Sequence, residues 1–341
     1  MLSVTIDKIT LRFKQPAGTS RGVLKSKNSW ILTVTDTDHP GISGRGEISI
    51  IDGLSPEWNT EFEDFLPEIK SGIATYAATP ELLAEFPSVR FGLETALLDF
   101  RNGGQGLFFS SDFTSGKQGI PINGLIWMGT ADSMTQQIDE KLKAGFRCLK
   151  MKIGAIGFDS EIEILKNIRK QFSQDELMLR VDANGSFDAA DVQKKLDILS
   201  QLGIHSIEQP IAPGNPVQMQ NICKNSEVPI ALDEELIGVY EQSKRAELIE
   251  FIQPQFLIFK PSLLGGIRAT EEWIQLAEKR NTGWWITSAL ESNIGLNAIA
   301  QYTFTVHKGE YQGLGTGTLF ETNFPSKLQI RQGFLFSSPD S

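Results

Sequence analysis

The chain has 341 residues, too many for one small core and well suited to a barrel of about 250 residues with a smaller companion domain. Its formal net charge of −10, with no basic run, argues against a nucleic-acid partner, because phosphate binding needs clustered lysine and arginine. Two cysteines, Cys148 and Cys223, with no CxxC and no Cys/His cluster, argue against a disulfide framework and a zinc site. No apolar run approaches the roughly 20 residues of a membrane span.

The first residues, MLSVTIDKIT, alternate apolar and polar like a strand and lack the regions of a signal peptide, so a soluble, cytoplasmic protein is expected. WILTVTDTD and GRGEISI supply two more strands. Between the first strand and these lies PAGTSRGVLKSKN, rich in Gly, Ser and Lys, read as a mobile loop over 15–28. GISGRGE opens no helix within a βαβ unit and reads as a strand turn. EWNTEFEDFLPEIKSGI and SVRFGLETALLDFRN switch to helical periodicity. Strands followed by helices predict an α+β capping domain over 1–115.

From residue 120 the pattern alternates. IPINGLIW, RCLKMKIG, LMLRVDANG, IHSIEQP, VPIALDEE, FLIFKPS, GWWITSAL and YQGLGT read as strands, with helical stretches such as DSEIEILKNIRKQF and GIRATEEWIQLAEKR between them. This predicts an α/β fold: a (β/α)7–8 TIM-like barrel over 116–317, with the apolar tail 318–341 packing back on the cap.

Charged residues fall at the ends of these apolar strands. Lys150 and Lys152 lie in LKMKIG, Asp182 ends LRVD, Glu208 ends SIE, Asp233 ends IALD and Lys260 ends LIFK. The spacing is roughly one βα unit per step, so all face the C-terminal mouth of a barrel. Three carboxylates converging there repel one another unless a cation sits among them, and a hard divalent ion with oxygen ligands is the natural partner. Lys150 and Lys152, two apart on a strand, point the same way, and two adjacent ammoniums should lower the pKa of at least one. Asn123, Asn184, Ser262 and Ser288 also end strands and are candidate substrate contacts. GLGTGT has the composition of an anion-binding nest.

This constellation resembles the muconate-lactonizing subgroup of the enolase superfamily, over essentially the whole chain. The resemblance implies that Asp182, Glu208 and Asp233 bind Mg²⁺, with Mn²⁺ as the alternative. It further implies that Lys152 removes the proton α to a substrate carboxylate, that Lys150 tunes Lys152, and that Lys260 stabilises the resulting anion from the other face. The branch with a His base needs a late His–Asp pair. Here Ser288 stands in that region, and His39, His205 and His307 read as ordinary polar residues. Dipeptide epimerases carry an acidic pair at the eighth strand, where this chain has GLGTGTLF. Arg180, in LRVDANG, together with SALESNIGLNAIAQ and GLGTGTLF, resembles the o-succinylbenzoate synthase family and makes Arg180 a further substrate-contact candidate. The function implied is Mg²⁺-dependent dehydration of 2-succinyl-6-hydroxy-2,4-cyclohexadiene-1-carboxylate to 2-succinylbenzoate in menaquinone biosynthesis. The alternatives are an N-succinylamino acid racemase or another epimerase or cycloisomerase of the subgroup. A Schiff-base aldolase using Lys260, or a barrel that only binds, are rivals of other classes. The partner expected is a small carboxylate, with no membrane or nucleic acid, and homo-oligomerisation is left open.

Overall fold

The chain opens with β1 (Leu2–Thr19), β2 (Gly22–Asp36) and β3 (Ser43–Ser49), which pair in that order as an antiparallel sheet. The computed structural model describes residues 1–19, 22–59, 61–154 and 156–338, the side chains of 17–19 excepted. One face of the sheet carries Ile6, Trp30, Leu32, Val34 and Ile48 into a core with Phe62, Leu66 and Ile69 of helix Phe62–Ser71 and with Val89, Leu93 and Ala96 of helix Pro87–Arg101. Each fully buried side chain such as Leu32 contributes about 1.5–3 kcal/mol. The glycines of GISGRGE do not form the expected turn alone. Gly44 and Gly46 lie inside β3, where helix Pro87–Arg101 crosses so closely that a Cβ on Gly46 would stand 1.9 Å from the Gly92 carbonyl oxygen.

The segment read as a loop over 15–28 is instead a two-stranded ribbon. After a register shift between Arg12 and Ala17, Ala17 pairs with Leu24, Gly18 with Val23 and Thr19 with Gly22. Ladder hydrogen bonds satisfy its backbone despite the Gly-, Ser- and Lys-rich sequence. Ser20 and Arg21, within the expected loop, lie outside the described residues.

Seven short parallel strands follow, in the order of the chain: β5 (Gly124–Ile126), β6 (Cys148–Lys152), β7 (Met178–Asp182), β8 (Ser206–Glu208), β9 (Ile230–Leu232), β10 (Phe256–Phe259) and β11 (Gly283–Ile286). β4 (Ile120–Pro121) precedes them. All five residues of β6 are buried, as expected of a strand covered on both faces. The eighth strand expected over 311–316 is reduced to two parallel bridges, Ile122 to Gln312 and Thr287 to Gly313. They join the two edges of the sheet and curl it into a barrel. Gln312 reinforces this closure, its side-chain oxygen accepting from the Ile286 N–H at 2.8 Å.

The tail divides its contacts. Phe320 bridges to Phe13 of β1, while β12 (Leu328–Arg331) and β13 (Phe334–Ser337) form a hairpin that pairs with β4. Residues 339–341 lie outside the described residues. Both cysteines are buried and free. Among the described residues no helix is long and apolar enough to cross a membrane.

Candidate active site

Strand register assembles the site. Lys152 on β6 lies level with Asp182 on β7, which lies level with Glu208 on β8. One row lower, Lys150 lies level with Arg180. Because side chains alternate across a strand, both rows face the barrel interior. Asp233 directly follows β9 and Lys260 directly follows β10, which completes the arc.

Lys150, Lys152, Asp182, Glu208 and Asp233 are buried and Lys260 is half-buried, and each pairs with an opposite charge. Lys150 Nζ donates to Glu208 Oε2 at 2.5 Å and lies 3.0 Å from Asp182 Oδ2. Lys152 Nζ donates to Asp182 Oδ2 at 3.0 Å and to Asn184 Oδ1 at 2.5 Å. Lys260 donates to Asp233. Asn184, in the left-handed region at φ 45°, turns the chain away from β7 and passes a hydrogen bond of 3.1 Å to Glu234.

These contacts set the proton affinities. Burial would raise Asp182, but Lys150, Lys152 and Lys260 hold its carboxyl well below the usual range. Glu208 is pushed well above its ordinary value by burial and by the neighbouring Asp182 and Asp233. Adjacent ammoniums lead one to expect a lowered pKa at Lys150 or Lys152, and Lys150 is not lowered. Burial disfavours its charge, but Asp182, Glu208 and Asp233 outweigh this and it holds its proton more tightly than a free lysine. Lys260 is likewise raised, the pull of Asp233, Glu234 and Glu208 exceeding the effect of burial. For Lys150 and Lys260 the carboxylates together outweigh burial.

A cavity of about 260 Å³ opens above this cluster. Lys150, Lys152, Asp182, Asn184, Lys260, Asn123 and Ser288 reach its wall. Glu208 and Asp233 lie behind the lysines, each about 2% exposed. Arg180 and Ser262 are not brought to the wall. Arg180 lies a row beneath, stacked 3.8 Å from the Trp285 ring centroid and donating to the Tyr311 carbonyl. Ser262 turns away to donate to Glu291 at 2.5 Å. Gly313, Gly315 and Thr316 of GLGTGT do line the cavity, and Thr316 bonds Ser288 at 2.7 Å.

Three contributors were not singled out from sequence. Trp127 lines the cavity with its ring 5.8 Å from Lys152 Nζ. It shares the parity of Asn123 and Leu125 along the segment that runs through β5, a signal that period-two reading contains. Gln209 clamps the ends of β8 and β9, its Oε1 accepting from the Asp233 and Glu235 N–H groups at 3.2 Å each. Glu234 adjoins Asp233 in the DEE run. Leu24, Ile51, Asp52 and Leu54 of the N-terminal unit close the cavity from above.

Among the described residues no group of three acids, histidines or cysteines already stands in metal-holding geometry, because lysine ammoniums stand between the carboxylates. The donor set nevertheless suits a hard divalent cation. Its ligands would all be carboxylate oxygens, and Glu208 Oε1 is buried without a hydrogen-bond partner.

Comparison with known proteins places the chain. The family model described as enolase C-terminal domain-like matches residues 133–339. The fold is thus that of the enolase superfamily, whose members are generally dependent on a divalent metal. The o-succinylbenzoate synthase of Desulfotalea psychrophila (strain LSv54 / DSM 12343) is 45% identical, covering 95% of this chain and 96% of its own. The crystal structure of MenC from Desulfotalea psychrophila LSv54 superposes with a TM-score of 0.86 at 40% identity, over 98% of this chain and 99% of that one. Muconate lactonizing enzyme from Pseudomonas fluorescens, complexed with muconolactone, shares the fold with a TM-score of 0.82 at 23% identity, over 99% and 94% of the two chains. The chain belongs to the o-succinylbenzoate synthase family of the enolase superfamily.

Proposed function

We propose that this chain is a lyase that dehydrates 2-succinyl-6-hydroxy-2,4-cyclohexadiene-1-carboxylate to 2-succinylbenzoate, in the cytoplasm, as a step of menaquinone biosynthesis. The observation that carries the reading is the level row Lys152–Asp182–Glu208 facing Lys260 across one mouth, in a chain so similar to an o-succinylbenzoate synthase. We take residues 1–115 as the cap and 116–317 as the barrel, with the tail clamping the two.

The roles follow from position. Asp182, Glu208 and Asp233 would hold Mg²⁺, with Mn²⁺ as the alternative, and the bound cation supplies Lewis-acid neutralisation of charge on the substrate carboxylate. Lys152, in its neutral form, takes the proton from the ring carbon α to that carboxylate. Lys260, across the mouth, opposes the negative charge that grows as the proton leaves. Lys152 then returns the proton to the departing hydroxyl. One C–H and one C–O bond break, one C=C bond forms and water leaves, so the ring becomes aromatic. Lys150 stays charged beside Lys152 and holds Asp182 and Glu208. Asn123, Asn184 and Ser288 offer hydrogen bonds to the substrate. Arg180, from beneath, supports the floor through Trp285 rather than touching the substrate. The Leu24, Ile51 and Leu54 side chains exclude water from above.

The test is product formation by the purified protein with Mg²⁺ and the cyclohexadiene substrate, followed by the absorbance of the aromatic ring. Aromatic product is expected. Exchange of the α-hydrogen of N-succinyl amino acids with no aromatic product would instead identify a racemase.

A further inference from the structure

Outside the carboxylate–lysine cluster, buried charges join the N-terminal sheet to the barrel, and one of them is a lysine. Lys27 of β2 is only 6% exposed. Its Nζ donates to Ser49 Oγ at 2.5 Å and, 263 residues along the chain, to the Leu290 carbonyl at 3.0 Å. Glu47, Glu291 and Asp52 are the carboxylates whose charge acts on it. Burying an ammonium here is costly, and apolar packing could have joined the two units without it.

The turn it grips is strained. Leu290 sits at φ 61°, in the left-handed region that a leucine rarely adopts. Buried polar groups hold the turn from several sides. Glu291 accepts from the Ala289 N–H at 2.7 Å, and Glu47 of β3 accepts from the Ser292 N–H at 2.9 Å and from its hydroxyl at 2.6 Å. Strain of this kind persists only where the surroundings over-determine it, and it gathers at sites where geometry matters. Here it shapes the cavity wall, since Ala289 and Leu290 face the cavity beside Leu24, three residues before Lys27 on the same strand.

We propose that Lys27 is a positioning residue for substrate binding: by pinning the Leu290 carbonyl it fixes where the cap ribbon meets the barrel turn, and so sets the wall formed by Leu24, Ala289 and Leu290. The inference rests on the dehydratase reading for its substrate. That wall carries no group that moves a proton, so it contributes the same binding energy before and during the reaction and governs KM rather than kcat.

The experiment compares wild type with Lys27→Met and with the double variant Lys27→Met/Glu291→Gln, which removes one buried charge of each sign. Steady-state kinetics use the cyclohexadiene substrate and saturating Mg²⁺. The expected result is a KM raised about tenfold with kcat within about twofold of wild type, in whichever variant is folded by near-UV circular dichroism. An unchanged KM in a folded variant overturns the proposal, as does a fall confined to kcat. Loss of folding in both variants makes Lys27 a structural residue and overturns it as well. Wild-type protein inactive on this substrate would count against the dehydratase reading, a separate outcome from any of these.

Discussion

Lys150 and Lys152 place their ammonium nitrogens on one and the same oxygen, Oδ2 of Asp182, at 3.0 Å each. A cation arriving at Asp182 must therefore rearrange both lysines. The proposed base and the proposed metal ligands form one electrostatic unit, and a change to any member is felt by the others.

Replacing Lys152 by Ala should lower kcat about 10³-fold or more while leaving the fold intact, because a positioned general base contributes in that range. Hydrogen exchange at the α-carbon, followed by mass spectrometry in deuterated solvent, should vanish with turnover. Turnover close to wild type would refute the base assignment.

Chelation should abolish activity without unfolding the protein, and Mg²⁺ should restore it. Glu208→Gln should weaken Mg²⁺ binding about tenfold or more by calorimetry, since it removes a carboxylate charge from the proposed ligand set. Equal affinity in the variant would remove Glu208 from that set.

Gly46→Ala should destabilise the protein by about 3 kcal/mol, read as a lower midpoint in urea, because the new methyl group would press on the Gly92 backbone and the Thr95 hydroxyl. The Gly92 carbonyl stands 1.9 Å from where that methyl would be. A midpoint within experimental error of wild type would show that the helix can slide away.

His205 predicts an acid limb in stability. Its folded-state pKa is pushed from 6.5 down to about 4, by burial first and by the Arg180 charge second. The unfolded chain then takes up the proton before the folded one as pH falls. Stability from this group is complete above pH 6.5 and is lost as pH drops towards about 4. His205→Gln should shrink the fall in Tm across this window by about 2–4 °C. An identical fall in both proteins would place the acid sensitivity elsewhere.

Much of the site was legible because barrel strands are apolar, so a charge at the end of each stands out, and the βα spacing brings those ends together. The direction of a side chain was legible only where parity decided it. Parity sends Arg180 inward with Asp182, but its side chain is held on Trp285 and the Tyr311 carbonyl, whereas Lys150 on the same row reaches the cavity. Trp284, its neighbour on β11, points the other way and packs near Phe259. Ser262 sits in a short helix, Pro261–Leu264, whose rotation no strand rule gives. The ribbon over 17–24 was hidden because glycine, serine and lysine mark loops by composition, whereas cross-strand pairing determined the outcome. Gln209 and Lys27 act through partners that only the folded chain brings near.

Since Lys150 and Lys260 already sit against Asp182, Glu208 and Asp233, the polypeptide carries its own counter-ions. The buried carboxylates of this mouth are thus balanced from within the chain, and removing either lysine would leave a buried acid without its partner, a change far costlier than losing an exposed ion pair.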